Sequence, residues 1–510
     1  MTKSNLNKRV RVRFAPSPTG GLHLGGVRTV LFNYLFAKQN GGDFIVRIED
    51  TDQTRFVEGA EKYIFDTLAW CGFTPDESPL HGGPHEPYRQ SERKPMYKQF
   101  AQKLIEDGRA YYAFDTAEEL DAQRKTIPNF QYNQVTRTHL KNSLTLPKAE
   151  VDALLNAGTP NVIRILMPAN EEVTFSDLIR GTVSFNTTQV DDKVLLKADG
   201  MPTYHLAVVV DDYKMEISHA FRGEEWLPSA PVHVLLWKYL FGLDNMPQWA
   251  HLPLILKPDG NGKLSKRDGD RLGFPTFAMD WTDPKTQETT IGFRERGFLP
   301  EAFVNMLAAL GWNEGTGQEI FSLQELIDKF SIDRVHKGGA KFDYEKAKWY
   351  NQEWLKQLPV SRYKNVVLAL FNEKGIVADD DAKVERVLNL VKDRCTLLND
   401  FIEQAGFFFK LPTNVDVTSI KPKWDERKNM FFIELMRAYE LSVLWEAADL
   451  EKEFKEMAAT TELKPGELML PFRMMLVGGK FGPGVFEIAE ILGKEETLHR
   501  IKHLLSILEH

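Results

Sequence analysis

The chain has 510 residues, 64 basic against 72 acidic side chains and a formal net charge of −8. With 43 % apolar and 27 % charged residues it is not a largely disordered chain, and no apolar run approaches the roughly 18 residues of a bilayer span. The length suits about three to five structural units. The opening MTKSNLNKRVRVRF lacks the apolar core of a secretory signal. Two cysteines, Cys71 and Cys395, are too few for a disulfide framework or a cysteine-built zinc site, and they fit a reducing cytoplasm. The acidic balance argues against a whole-surface nucleic-acid binder but leaves room for a local basic face.

In chain order, residues 10–15 (VRVRFA) predict a short strand, and PSPTGGLHLGG predicts a turn. Val27, Val30, Leu31, Tyr34 and Leu35 then recur at helical spacing until Gly41-Gly42 ends the helix. FIVRI (44–48) supplies the next strand. A strand, a glycine-rich turn and a helix predict an α/β fold with a doubly wound parallel sheet, its ligand at the carboxyl ends of the strands. Residues 100–195 are mixed and include the strand-like NVIRILM (161–167). The β-rich YHLAVVVDD (204–212) reads as a strand returning to the sheet, which makes the middle an insertion that splits the nucleotide-binding domain. KPDGNGKLSKRDGD (257–270) reads as a polar, basic loop. Beyond about residue 320 the chain reads as helical. Ser322 to Glu325 forms a capping box, with Phe321 and Leu326 placed as its hydrophobic staple. Val384, Val387, Leu388 and Val391 share one helical face, as do Leu498, Ile501, Leu504, Leu505 and Leu508. There is no repeat of fixed period.

Two segments carry candidate chemistry. Around His23 lie Pro16, Pro18, Gly20, Gly21, Gly25 and Gly26. Glycines let a phosphate approach the backbone, and the following helix offers free N–H groups and a positive dipole end. The same spacing also suits a tight strand-to-helix turn with an incidental histidine. The second segment is Lys263-Leu264-Ser265-Lys266-Arg267. Its three cations suit a loop that folds over a triphosphate, or a solvated basic loop.

Together, the histidine-glycine turn and the lysine-serine-lysine segment about 240 residues later resemble the class I aminoacyl-tRNA synthetases. The family's usual His-x-Gly-His stands here as His23-Leu24-Gly25-Gly26, and its Lys-x-Ser-Lys-Ser ends here in Arg267. RFAPSPTGGLHLGG, FIVRIEDTD, PYRQSER, DGMPTYHLAVVVDD, FRGEEWL and KLSKR together resemble the bacterial glutamyl-tRNA synthetases, in order, from residue 11 to about 350. A weaker match covers 471–495.

The resemblance implies a Rossmann-type catalytic domain split into 1–100 and 201–255, with an acceptor-stem-binding insertion at 101–200. It places a KLSKR loop and stem-contact domain at 256–345 and all-α anticodon-binding domains at 346–510. It implies a glutamate–tRNA ligase that uses ATP with magnesium, L-glutamate and the glutamate tRNA, as a cytoplasmic monomer with no membrane attachment. The rival readings are an enzyme that also charges the glutamine tRNA with glutamate and a non-catalytic tRNA-binding paralogue.

By the same resemblance His23 and Lys266 hold the ATP phosphates, with Lys263 and Arg267 assisting and Gly25, Gly26 and Ser265 completing the site. Arg13 takes the side-chain carboxylate of glutamate and Arg222 is the second arginine of its pocket. Glu49 takes the ammonium, and Ser17 and Tyr204 add hydrogen bonds. Val208 stands where some relatives have asparagine. AYYAFDT (110–116) has no cysteine where many relatives begin a zinc site, so no zinc is expected. In 334–348, Arg334, Lys337, Lys341, Lys346 and Lys348 stand against Asp343 and Glu345, five against two, a local charge of +3 suited to a tRNA backbone. Arg394 falls about where relatives that reject the glutamine tRNA read the third anticodon base with an arginine, a residue able to contact a base bidentately.

Overall fold

A computed structural model describes residues 9–413, 415 and 417–508. Residues 1–8, on which much of the leader reading falls, lie outside the described residues. The chain divides into two compact units, residues up to Glu295 with Pro300–Tyr344, and Arg296–Leu299 with the residues from Glu345 on.

The first unit is built on a six-stranded sheet. Strand β1 (Arg11–Phe14) leads through the turn at 15–23 into helix α1 (Leu24–Gln39), which returns to β2 (Asp43–Val46). β1 pairs in parallel with β2 on one side, with Val12 opposite Phe44. Its other neighbour is β8 (His219–Gly223), also parallel, and β8 pairs in parallel with β9 (Gln248–Leu252). Helices α2 (Ala60–Cys71) and α3 (Lys94–Glu106) follow β2. Between them and β8 lie β3 (Ala110–Ala113), α4 (Ala117–Thr126), α5 (Lys148–Asn156), β4 (Val162–Ile165), β5 (Glu172–Asp177), β6 (Gly181–Asn186) and β7 (Val194–Leu196). β3, β4 and β7 form a separate antiparallel sheet. The β5–β6 hairpin instead joins the main sheet at β9, giving the order β2-β1-β8-β9-β5-β6. The chain leaves β1 toward β2 but leaves β8 toward β9, so the winding reverses between β1 and β8. In open parallel sheets the ligand crevice forms at the carboxyl ends of two such strands.

One expectation is corrected. Residues 204–212 are not a strand but the start of helix α6 (Tyr204–Lys214). The strands that return to the sheet are β8 and β9, separated by α7 (Ala230–Leu240). Leu206 through Asp212 are all buried, so α6 has no solvated face to interrupt its apolar run with helical period. The three valines favour a strand only weakly, and packing on all sides overrides that preference.

The basic loop is also shorter than expected. After β10 (Ile255–Leu256) the turn ends at Ser265, and Lys266–Leu272 form helix α8. The Ser265 backbone N–H and hydroxyl donate to Asp268 at 3.0 and 2.6 Å, which fixes the helix start. The capping box at Ser322 is present in the helix Leu323–Lys329, with Phe321 and Leu326 both buried.

The second unit is helical. Its core is drawn from Asp381–Val391, Glu426–Leu441, Ala447–Thr460, Pro465–Val477, Val485–Leu492 and Lys494–Leu508. Of the two faces read from the sequence, Val384, Val387, Leu388 and Val391 are buried, as are Ile501, Leu504, Leu505 and Leu508, while Leu498 is half-buried. Among the described residues no helix is long and apolar enough to cross a membrane.

Candidate active site

A cavity of about 1040 Å³ opens where the topology places it, at the ends of β1 and β8. Arg13, Ser17, His23, Gly25, Gly26, Glu49, Tyr204, Arg222, Lys263 and Ser265 all line it. Lys266 and Arg267, on the first turn of α8, do not. Val208 lies buried within α6 and does not line it either.

His23 is the N-cap of α1, and its Nδ1 accepts from the backbone N–H of Gly25 at 3.4 Å. The proton of a neutral ring then sits on Nε2, which is buried with no hydrogen-bond partner. Burial, helped by the charge of Lys263, pushes the His23 pKa down to about 4, so the ring is a neutral donor at neutral pH. A Cβ at Gly25 would meet no protein atom within 4 Å, so packing alone does not demand glycine there, whereas close approach of a ligand would. Lys263 reaches Glu225 at 2.6 Å, but both are substantially exposed, so this pair adds little stability and leaves the lysine available.

The other end of the cavity is a buried charge network. Asp212 Oδ1 accepts from Arg13 Nε at 3.0 Å and from Arg47 Nη1 at 2.9 Å. Arg47 Nη2 donates to Glu49 Oε1 at 3.0 Å. Asp211 accepts from Arg93 Nε and Tyr97 at 2.8 Å each, and from Gln90 at 2.9 Å. Burial opposes ionisation of Asp212, but Arg13 and Arg47 outweigh it and hold its carboxyl below the usual value. At Glu49 burial outweighs Arg47 and Arg13, and the pKa is raised. A ligand ammonium beside Glu49 would favour its charged form.

Arg13, Arg47 and Arg93 thus face Glu49, Asp211 and Asp212, and this cluster is neutral. Arg222 stands apart from it. Only 6 % exposed, it has no carboxylate among its hydrogen-bond partners in the described residues. Its Nε donates to His251 at 2.9 Å, its Nη1 to His233 at 3.1 Å and to Tyr204 at 3.4 Å, and Nη2 has no partner. Burial lowers its pKa, the mark of a cation without a counterion. Arg222 is therefore a buried cation without a carboxylate partner, as is Arg28, also on the cavity wall, which donates to the backbone carbonyls of Leu310 and Pro253.

Sequence reasoning missed Arg28, Lys197 and Glu225, which line the cavity, and Arg47, Asp211, Asp212, His233 and His251, which hold its arginines. Arg47 and the Asp211-Asp212 pair stood inside quoted motifs, but the two histidines gave no local signal. Among the described residues no three His, Cys, Asp or Glu side chains converge as a metal site. In the second unit Arg394 is exposed on the turn Lys392–Arg394. Of the basic stretch, Arg334, Lys337 and Lys341 are exposed in the first unit, while Lys348 pairs with Glu345 in the second.

Residues 9–349 match the model of the class I tRNA synthetase (E and Q) catalytic domain, and 345–505 match an anticodon binding domain. A glutamate–tRNA ligase of Porphyromonas gingivalis is 50 % identical over 504 residues, 99 % of this chain and 100 % of that protein. One of Phocaeicola vulgatus is 51 % identical over 503 residues, 98 % and 99 % of the two chains. A crystal structure of a glutamate tRNA ligase from Elizabethkingia meningosepticum in complex with its amino acid superposes with a TM-score of 0.93. It is 47 % identical and covers 98 % of this chain and 100 % of that one. The chain therefore belongs to the glutamate–tRNA ligases, a branch of the class I tRNA synthetases.

Proposed function

We propose that the cavity condenses L-glutamate with ATP and that the enzyme passes the glutamyl group to the terminal adenosine of the glutamate tRNA. The observation that carries this is the unmatched positive charge at Arg222 beside a neutral cluster. Glutamate at neutral pH carries two carboxylates and one ammonium, a net charge of −1, and it supplies the missing counterion. Arg13, already turned by Asp212, takes the side-chain carboxylate with Arg222 as the second arginine of the pocket, and Glu49 takes the ammonium, with Tyr204 and Ser17 adding hydrogen bonds. Glutamine has no net charge and would leave a buried cation unpaired, which costs more than the loss of one hydrogen bond.

The α-carboxylate of glutamate attacks the α-phosphorus of ATP, and pyrophosphate leaves. A ribose hydroxyl of the tRNA then attacks the glutamyl carbonyl, and AMP leaves. The attacking carboxylate is ionised from the start, so the chain needs to position and stabilise charge rather than supply a nucleophile. His23 Nε2 donates to a phosphate oxygen, and Lys263 stands ready to exchange Glu225 for phosphate, while Ser265, Lys266 and Arg267 complete the site from the start of α8. Magnesium would enter with ATP and would be held mainly by phosphate oxygens and water.

Aminoacylation with purified glutamate and glutamine tRNAs, each with both amino acids, tests the reading. Glutamate on the glutamate tRNA is the expected product. Equal charging of both tRNAs would replace discrimination with the broader activity, and no glutamate-dependent pyrophosphate exchange in the presence of tRNA would end the catalytic reading. Arg13→Gln should raise the KM for glutamate far more than that for ATP, and parallel losses would count against its assignment.

A further inference from the structure

This inference rests on the cavity being the glutamate site. Arg222, on β8, is held from two sides by imidazoles, His251 on β9 and His233 on α7. A guanidinium has only donors, so each imidazole must accept from it. That fixes both tautomers. His251 carries its proton on Nδ1, where it faces Asp177 Oδ2 at 2.6 Å. His233 carries its proton on Nε2, where it faces His205 Nδ1 at 3.2 Å. A second proton on either ring would set N–H against N–H beside an existing cation. Burial also pushes both rings below the usual histidine pKa, as neutrality requires. The remaining contact is again uncharged, the Trp249 ring, with its centroid 4.6 Å from the guanidinium carbon.

We infer that His233 and His251 are positioning and specificity-determining residues that hold Arg222 through neutral acceptors, so that its charge stays reserved for the substrate carboxylate. A carboxylate in either place would hold the guanidinium at least as firmly and would cancel the charge that selects glutamate. Arg13 has that other arrangement, with Asp212 as its ion partner at 3.0 Å. Of the two arginines assigned to glutamate, Arg13 is thus already neutralised and Arg222 is kept unneutralised by its histidines.

The test compares His233→Gln with His233→Glu in the full chain, by tRNA-dependent pyrophosphate exchange with glutamate and ATP varied separately. Glutamine keeps a neutral acceptor, and its KM for glutamate should stay within about 3-fold of the parent. Glutamate keeps an acceptor but adds charge, and its KM for glutamate should rise roughly 10- to 100-fold with the KM for ATP unchanged, the range expected for losing a charge-assisted hydrogen bond. A merely structural role predicts the reverse order, since an ion pair would hold Arg222 better. Equal glutamate KM values in the two variants overturn the inference. Should His233→Glu not fold, His251→Gln against His251→Glu asks the same question. The glutamate variant alone should raise the glutamate KM, by about 10-fold, and equal values overturn the proposal. Arg222→Gln separates the two layers. If it leaves the glutamate KM unchanged, the reading of the cavity itself fails. If it raises that KM while the two His233 variants match, only the role of the histidines fails.

Discussion

Replacing Asp212 by asparagine keeps the shape of the side chain and one acceptor oxygen but deletes the charge that joins Arg13 to Arg47. Both arginines and the carboxylate are buried, with side chains at most 5 % exposed. The substitution removes one negative charge from between two buried arginines and leaves the cluster with a net positive charge. Breaking a buried ion pair from one side costs about 3–5 kcal/mol, and the retained acceptor places the change near the lower end, about 3 kcal/mol. The sign with pH follows from the depressed carboxyl. Its folded pKa lies below the unfolded value of 3.8, so its contribution is complete above about pH 4 and fades as pH falls through the folded value. Urea titrations read by hydrogen exchange in peptides covering β1 and α6 report the first unit alone. At pH 7 the variant should lose about 3 kcal/mol in those peptides and nothing in the helical unit, and the gap should narrow in strong acid. Equal stability at pH 7 would mean that the Asp212 contacts carry no net energy, and the charge count used for the site would be unsound.

Lys266→Ala should slow adenylate formation by more than about 100-fold, the scale of losing one charge-stabilising group; unchanged pyrophosphate exchange would leave phosphate holding to His23 and Lys263. In the first unit, burial holds the pKa of His23, His205 and His219 at about 4, and those of His233 and His251 are also lowered. The unfolded chain therefore takes up protons before the folded unit does, and stability should fall between about pH 6.5 and 4; thermal melts in which the first unit is as stable at pH 5 as at pH 7 would contradict this. Metal analysis of the purified protein should find no tightly bound zinc, and one zinc per chain would overturn the reading of 110–116. Arg394→Gln should weaken charging of the glutamate tRNA and leave tRNA-independent binding of ATP unchanged; unaltered charging kinetics would remove Arg394 from tRNA recognition.

The opening β1–α1–β2 unit was legible because each signal was local: a β-branched run, a glycine-rich turn and one apolar stripe. The capping box at Ser322 and the carboxyl-terminal faces were legible for the same reason. The network under the pocket was not, because its partners are far apart in the chain. Asp212 lies 199 residues from Arg13 and 165 from Arg47, and His251 lies 29 from Arg222. No residue in such a set looks unusual until the sheet order brings β1, β8 and β9 side by side. Arg47, inside the strand-like FIVRI, gave no signal of its own, yet it is fully buried and bound to Glu49 and Asp212.

The misreading of α6 has a more specific cause. Tyr204, Val208, Asp211 and Asp212 stand at i, i+4, i+7 and i+8, one face of a helix. Tyr204 bonds to Arg222, Asp211 to Arg93, and Asp212 to Arg13 and Arg47, so this face carries the polar work of the helix. Val208 interrupts the stripe and extends the apolar run, so the polar residues split to the two ends and the centre imitates a buried strand. With an asparagine at this position the polar stripe would be continuous and helical in period. Val208 is thus the residue that hid the helix.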